Sequence, residues 1–286
     1  TWSPTLESVL FDVRLPRLIA GILVGAGLSV SGASFQGLFR NPLVSPHILG
    51  VSAGAGLGAA LAILFFSKIY IVQLFSFLFG LLAVLMTYSL SRVYRTTPVL
   101  MLVLSGMIVG ALFSAGTSLL KYIADPVNQM PSIVFWMLGS LNNASNKDLI
   151  IAGPVMLGGI VVLLLIRWRI NLLAMGEEEA RSLGIETGRI RAVIIFCATV
   201  ISASAVSISG IIGWIGLVIP HIGRILVGPD NKKLLPVVTL IGAIYLVIVD
   251  TIARTAIESE IPIGVLTAIA GAPIFAYLLR KNRSGW

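Results

Sequence analysis

Nine blocks of apolar residues, most of them near the length that crosses a bilayer, follow one another along this chain. They cover 18–36, 48–66, 70–90, 98–122, 149–166, 192–210, 212–227, 234–253 and 262–279. About 20 apolar residues of α-helix span the hydrocarbon core. The blocks show neither a strand's period of two nor the narrow stripe of a surface helix, and helices apolar all round lie in lipid or among other helices. Backbone groups find no partner in lipid, so an open sheet is excluded while a helix satisfies itself. The fold class is therefore all-α, a polytopic transmembrane helical bundle. Only 11% of the residues are charged, against about 25% in a soluble domain. The seventh block is interrupted by Gly213, Gly216 and Pro220 and is expected to be a bent or partial crossing.

Nine crossings put the two ends on opposite sides, and the excess of Lys and Arg marks the cytoplasmic loops. With the C-terminus inside, fourteen basic residues fall on the inner side. Six fall on the outer side, namely Arg14, Arg17, Lys68, Lys121, Lys147 and Arg254. The expected orientation is a cytoplasmic C-terminus. The net charge of +8 follows from this bias and calls for no nucleic-acid partner. The single cysteine, Cys197, allows no internal disulfide, and the two histidines, His47 and His221, lie far apart, so no metal-ligand spacing is present. No phosphate-binding loop of the G-x-x-x-x-G-K-[ST] type occurs. Of the acids only Asp250 falls inside a span, four residues before Arg254, which suits a local ion pair. The scarcity of buried acids argues against an ion-coupled transporter. The absence of a polar catalytic cluster argues against a membrane-embedded enzyme.

Several segments stand out. Ser3 and Pro4 are placed to start a short helix ahead of the first span. Small residues at four-residue spacing, Gly21/Gly25, Gly50/Gly54/Gly58 and Gly106/Gly110, suit close helix packing. The connection 123–148 holds an apolar stretch, "SIVFWMLGSL", expected to form a short re-entrant helix. In the span 98–122, Gly110, Ser114, Thr117, Ser118 and Lys121 share one helix face. That stripe suits a translocation path for a bulky solute and equally suits helix packing. Most unusual is "LLAMGEEEARSLGIETGR" at 172–189, which holds Glu177, Glu178, Glu179 and Glu186, four of the twelve acids. Acids favour a helix's first turn, Ala180 and Leu183 give an apolar side, Arg181 sits in the last turn, and Gly184 suits the residue just past the end. A two-turn helix this polar neither inserts nor stands alone. It is either a loop packed on its own bundle or a docking knob for a cytoplasmic partner.

Four motifs together carry a family resemblance. They are "RLPRLIAGILVGAGLSVSGASFQGLFRNPLVSPHILGVSAGAG" at 14–56, "LLAMGEEEARSLGI" at 172–185, "GIIGWIGLVIPHIGRILVG" at 210–228 and "IPIGVLTAIAGAPIFAYLL" at 261–279. The chain resembles the FecCD/BtuC-like permease subunit of ABC importers for vitamin B12, haem and iron siderophores. The resemblance implies a type II importer permease with residues 1–286 as one transmembrane domain. The family has ten spans, so it also implies that the first lies upstream of this sequence. It implies a homodimer in the bilayer of the bacterial or archaeal cytoplasmic membrane, two cytoplasmic ATPase subunits, and an extracytoplasmic substrate-binding protein. No cofactor or catalysis is expected on this chain, since ATP is handled by the partner.

By motif, the resemblance assigns about 171–189 to ATPase coupling, through Glu177, Glu178, Glu179, Ala180, Arg181, Leu183 and Gly184. It assigns Arg14, Arg17 and Arg254 to docking of the binding protein, against the alternative that they are interfacial anchors. The implied cargo is a metal chelate such as a ferric siderophore, haem or a cobamide. A small oxyanion such as molybdate on the same scaffold stays open.

Overall fold

The computed structural model describes residues 3–66, 68–92, 99–184 and 186–281, and no strand occurs among them. The chain opens on α1 (Pro4–Ser8), where the Ser3 hydroxyl accepts from the Leu6 amide at 3.4 Å. A π-helical turn leads into α2 (Leu15–Phe39), and a 3-10 turn (Pro46–Leu49) leads into α3 (Val51–Phe65). Then come α4 (Ile69–Ser91), α5 (Val99–Ile123), α6 (Gln129–Leu138), α7 (Asn146–Leu165), α8 (Arg167–Met175) and α9 (Glu177–Ser182). The remainder is α10 (Thr187–Ser209), α11 (Ile215–Val227), α12 (Asn231–Thr255) and α13 (Ile263–Lys281).

Each expected apolar block coincides with a helix, and among the described residues six helical segments are long and apolar enough to cross a membrane. They are Pro4–Phe39 and α4, α5, α7, α10 and α12. The blocks 48–66, 212–227 and 262–279 hold apolar helices that fall short of that length among the described residues, so the count differs from the expected nine while the all-helical bundle stands. In the first, Pro46 and Gly50 (φ +84°) separate a 3-10 turn from a 15-residue α3. In the second, residues 210–214 are not helical and α11 has 13 residues. The stretch expected to re-enter the membrane does form a helix, α6.

The helix α2 is the centre of the bundle, with most of its length buried, and α10 is nearly as enclosed. Lipid supplies no hydrophobic force between helices, so close van der Waals packing must hold them. Glycine provides it here. A β-carbon on Gly25 would sit 2.2 Å from the Gly242 carbonyl oxygen, and one on Gly242 would sit 2.4 Å from that of Gly25. The two helices α2 and α12 therefore touch backbone to backbone. The same holds where Gly32 meets Gly216 of α11, at 2.1 Å.

Irregular backbone at this depth is tolerated only when protein satisfies it. The Ser140 amide donates to the Ser209 carbonyl at 2.8 Å, and the Ile263 amide to that of Gly139 at 2.9 Å. These bonds gather the loop after α6, the end of α10 and the start of α13 at one place.

Candidate docking and coupling sites

The N-terminal end of α2 carries a charged cluster in an otherwise apolar bundle. The turn of α2 points Arg17 inward, where it is 7% exposed. Its Nε donates to Asp250 Oδ1 and Oδ2 at 3.0 and 3.1 Å, and its Nη2 to Asp250 Oδ1 at 2.9 Å. The other side of the guanidinium meets Glu260, Nη1 to Oε1 at 2.8 Å and Nη2 to Oε2 at 2.9 Å. Asn142 Oδ1 lies 3.5 Å from Nη1. Arg254 Nε approaches Asp250 Oδ2 at 3.4 Å. Two arginines and two carboxylates thus balance in charge. Three of the four belong to different elements, so the cluster ties α2 to α12 and to the 256–262 segment.

The three arginines assigned to docking do surround one cavity of about 180 Å³, together with Asp250. They are not equivalent, however. Arg14 is exposed and Arg254 is reached from outside, while Arg17 is buried and its donors are taken by two carboxylates. The three therefore differ in how open their charge is to a partner. The cause is Glu260, whose carboxylate covers the guanidinium on the side that Asp250 leaves open. The expected Asp250–Arg254 pair exists, but Asp250 has its shorter contacts with Arg17.

Glu260 also lines a larger cavity of about 970 Å³. Apart from Glu260 its polar wall is made of neutral groups, among them Asn128, Gln129, Asn142, Asn143, Ser207 and Ser209, and its apolar wall includes Phe135 and Trp136. No Lys or Arg lines it. None of the α5 stripe residues reaches it either. The stripe itself divides. Thr117 is buried and its hydroxyl donates to the Phe113 carbonyl, whereas Ser114 and Ser118 are exposed and Ser118 donates to the Ser114 carbonyl. Consecutive helical residues stand about 100° apart, so Thr117 turns into the bundle where Ser118 turns out. A β-carbon on Gly110 would meet nothing within 4 Å.

At the opposite end of α2 lie α8 and α9. A β-carbon on Gly37 would fall 2.6 Å from Ile170 Cγ2, so α8 is seated directly on α2. From α8, Asn171 Nδ2 donates to Asp230 Oδ1 at 2.6 Å, and Asn171 Oδ1 accepts from the Asn231 amide at 2.8 Å. Asp230 is the N-cap of α12 and also accepts from the Lys232 amide. That amide, then the Asn171 side chain, then the charges of Lys232 and Lys233 hold its carboxyl below the usual carboxylate range.

The short helix α9 is as the acid-rich segment suggests, though six residues long rather than two full turns. Ala180 is fully buried, while Glu178, Glu179, Arg181, Leu183 and Gly184 are exposed. The Glu177 side chain lies outside the described part. Gly184 has φ +78° and its amide closes the helix onto the Arg181 carbonyl. Arg181 Nε reaches Thr187 Oγ1 at 3.4 Å, at the start of α10. Leu183 is 61% exposed, an apolar side chain with no cover from its own chain.

Glu260, Asn171 and Asp230 were not singled out in the sequence. Glu260 had a signal, because acids are scarce and it follows Arg254 closely. Asp230 matches an N-cap before a helical run. Asn171 is a polar residue in a polar segment, and nothing marks it.

The model of the FecCD transport family matches residues 2–281. The chain belongs to this family. As a FecCD chain it is 44% identical to the molybdate import system permease MolB of Haemophilus influenzae, over 99% of this chain and 84% of that protein. It is also 44% identical to a probable iron chelatin transport system permease of Helicobacter pylori, over 98% of this chain and 84% of that one. A solved chain assigned to a metal-chelate type ABC transporter, in an inward-facing conformation, superposes with a TM-score of 0.92. It is 43% identical and covers 98% of this chain, which in turn covers 90% of it. This FecCD chain is a polytopic membrane permease of an ABC importer.

Proposed function

We propose that this FecCD chain moves a metal chelate into the cytoplasm as one of two identical permease subunits, driven by two separate ATPase subunits and fed by an extracytoplasmic binding protein. One observation carries the reading. The helices α2 and α12 run the full depth of the bundle and bear the arginine cluster at one end and the seat of α8 and α9 at the other. Arg14 and Arg254 receive acidic groups of the binding protein. The segment holding Glu177, Glu178, Glu179, Ala180, Arg181, Leu183 and Gly184 meets the ATPase, with Leu183 as apolar anchor and the buried Ala180 holding α9 to its own chain. The C-terminus then lies in the cytoplasm. Gly110, Ser114 and Ser118, on the open face of α5, line the path between the two copies, while Thr117 supports that face from behind.

Identity does not choose the cargo, since relatives named for molybdate and for an iron chelatin stand at the same 44%. The cavity beside the docking cluster favours a chelate. Its volume of about 970 Å³ suits a bulky ligand, at the upper end of the roughly 300–1,000 Å³ of ligand pockets. Its wall carries amides and hydroxyls, without the cations that a small oxyanion would want. The test is ATP-driven uptake in proteoliposomes holding the permease, its ATPase and its binding protein. Ferric siderophores, haem and cobalamin should be taken up over molybdate. Uptake of molybdate alone would replace the chelate reading with the oxyanion one, and no uptake with any binding protein would sink both.

A further inference from the structure

Motion that begins at α9 has few routes into the bundle. The helix has six residues, too few to be stable alone, so it acts through what it is joined to. On one side is α10, which begins at Thr187. On the other is α8, whose buried Ile170 rests on α2. From α8 the Asn171 side chain hydrogen-bonds across to α12. Asn171 engages it with both ends of its amide, one to the Asp230 carboxylate at 2.6 Å and one to the Asn231 amide at 2.8 Å. Using donor and acceptor at once fixes the side chain's orientation, and a bond to an ionised acceptor is among the stronger kinds. Asp230 at the same time caps α12. The helix beyond that cap runs for 25 residues, about 38 Å, and Pro236 interrupts its hydrogen-bond ladder only near the start. Near its far end Asp250 accepts from Arg17 and Arg254.

We infer that Asn171 is a positioning residue of the transport cycle, the joint through which the α8–α9 segment moves α12 and, along it, the arginine cluster at the opposite face. The inference rests on the reading of α9 as the segment that meets the ATPase. Asn171 touches neither cargo nor nucleotide. It transmits displacement because α12 is continuous and closely packed on α2 through Gly25 and Gly242. Without the joint, α9 still docks and the ATPase still turns over, but the swing of α8 passes to α12 only through apolar packing, which can slide where the hydrogen bonds would hold.

The experiment uses the complete complex in proteoliposomes and reads ATP hydrolysed per cargo imported. Asn171→Asp sets a carboxylate against Asp230 and breaks the joint. Adding Asp230→Asn exchanges the two roles: the amide then donates from position 230, and the carboxylate at 171 still accepts from the Asn231 amide. The expected result is a ratio about tenfold higher for Asn171→Asp, within the usual range of coupling between sites, and a return close to the parent ratio in the double variant. An unchanged ratio in Asn171→Asp overturns the inference. So does a loss of folded complex that the exchange fails to restore, which would make the joint a simple brace. A Leu183→Cys permease tested for cross-linking to the ATPase separates the two levels. Absence of any cross-link refutes the coupling reading of α9, whereas a cross-link with an unchanged ratio refutes only the role of Asn171.

Discussion

Truncating Arg17 would leave Asp250 and Glu260 facing one another with their shared cation gone. Removing one partner of a buried ion pair costs about 3–5 kcal/mol when the other charge stays buried and unpaired; here Arg254 still lies 3.4 Å from Asp250 and Glu260 reaches solvent, so the cost falls below that range. Arg17→Ala should still lower the melting temperature of the purified permease. Arg14→Ala should change it little, as exposed substitutions usually stay within about 0.5 kcal/mol. Equal effects would show that Arg17 is no more structural than its exposed neighbour. Docking is expected to show the reverse order. Arg14→Glu and Arg254→Glu should slow association with the binding protein and flatten its salt dependence, since charges at an interface rim act mainly on the rate of encounter. At the coupling end, Gly184→Val tests backbone alone, because a β-carbon there meets nothing within 4 Å and only the φ of +78° opposes it. Leu183→Ala removes an anchor worth about 1.5–3 kcal/mol when fully buried against a partner. Both should uncouple ATP hydrolysis from transport while the bundle melts as before. Normal transport by both would make α9 a passive loop.

Among the helices, α2 and α5 make opposite demands on their small residues. On α2, Gly25 has backbone within 2.2 Å of where a side chain would begin, so Gly25→Val must push α2 and α12 apart. Loss of folded yield is the expected outcome, measured by size exclusion in detergent. On α5, Ser114 and Ser118 point away from the chain's own core and bond only to their own helix. Phenylalanine at either should block uptake while melting is unchanged. A fall in melting temperature equal to that of a bulky residue at the buried Thr117 would make the whole stripe packing. Sequence periodicity alone joins Thr117 to Ser114 and Ser118, because a stripe drawn over the twelve residues 110–121 is broad enough to hold both a buried and an open edge. It also cannot separate a crossing helix from an apolar segment that is partly unwound. Residues 210–214 read as membrane-spanning, yet their backbone is irregular and their surroundings include bonds from Ser140 and Ile263 that no local pattern announces.

For the molecule as a whole, the apolar blocks and the charge bias were legible because solvent imposes them on every residue. The cluster around Arg17 was legible only in part. The motif brought Arg14, Arg17 and Arg254 together, but Glu260 lies 243 residues from Arg17 and decides how buried it is. The two ends of the bundle now give the charge count a physical address. Arg40, Arg167, Arg169, Lys232 and Lys233 belong to the end where Gly37, Ile170 and Asn231 meet, and α9 extends from the same end. Lys68 belongs to the other, since Ile69 and Glu260 line one cavity. Basic residues are retained on the cytoplasmic side, so the first end should face the cytoplasm. The native thiol, Cys197, is buried and leaves a quiet background. In intact cells, Lys68→Cys should react with an impermeant thiol reagent and Arg181→Cys should react only after permeabilisation. Both positions are exposed on the chain itself, so in cells that make the permease without its ATPase and binding protein the membrane barrier separates them. The reverse pattern would turn the arginine cluster toward the ATPase and α9 toward the binding protein. No importer could then work with its parts in the places proposed.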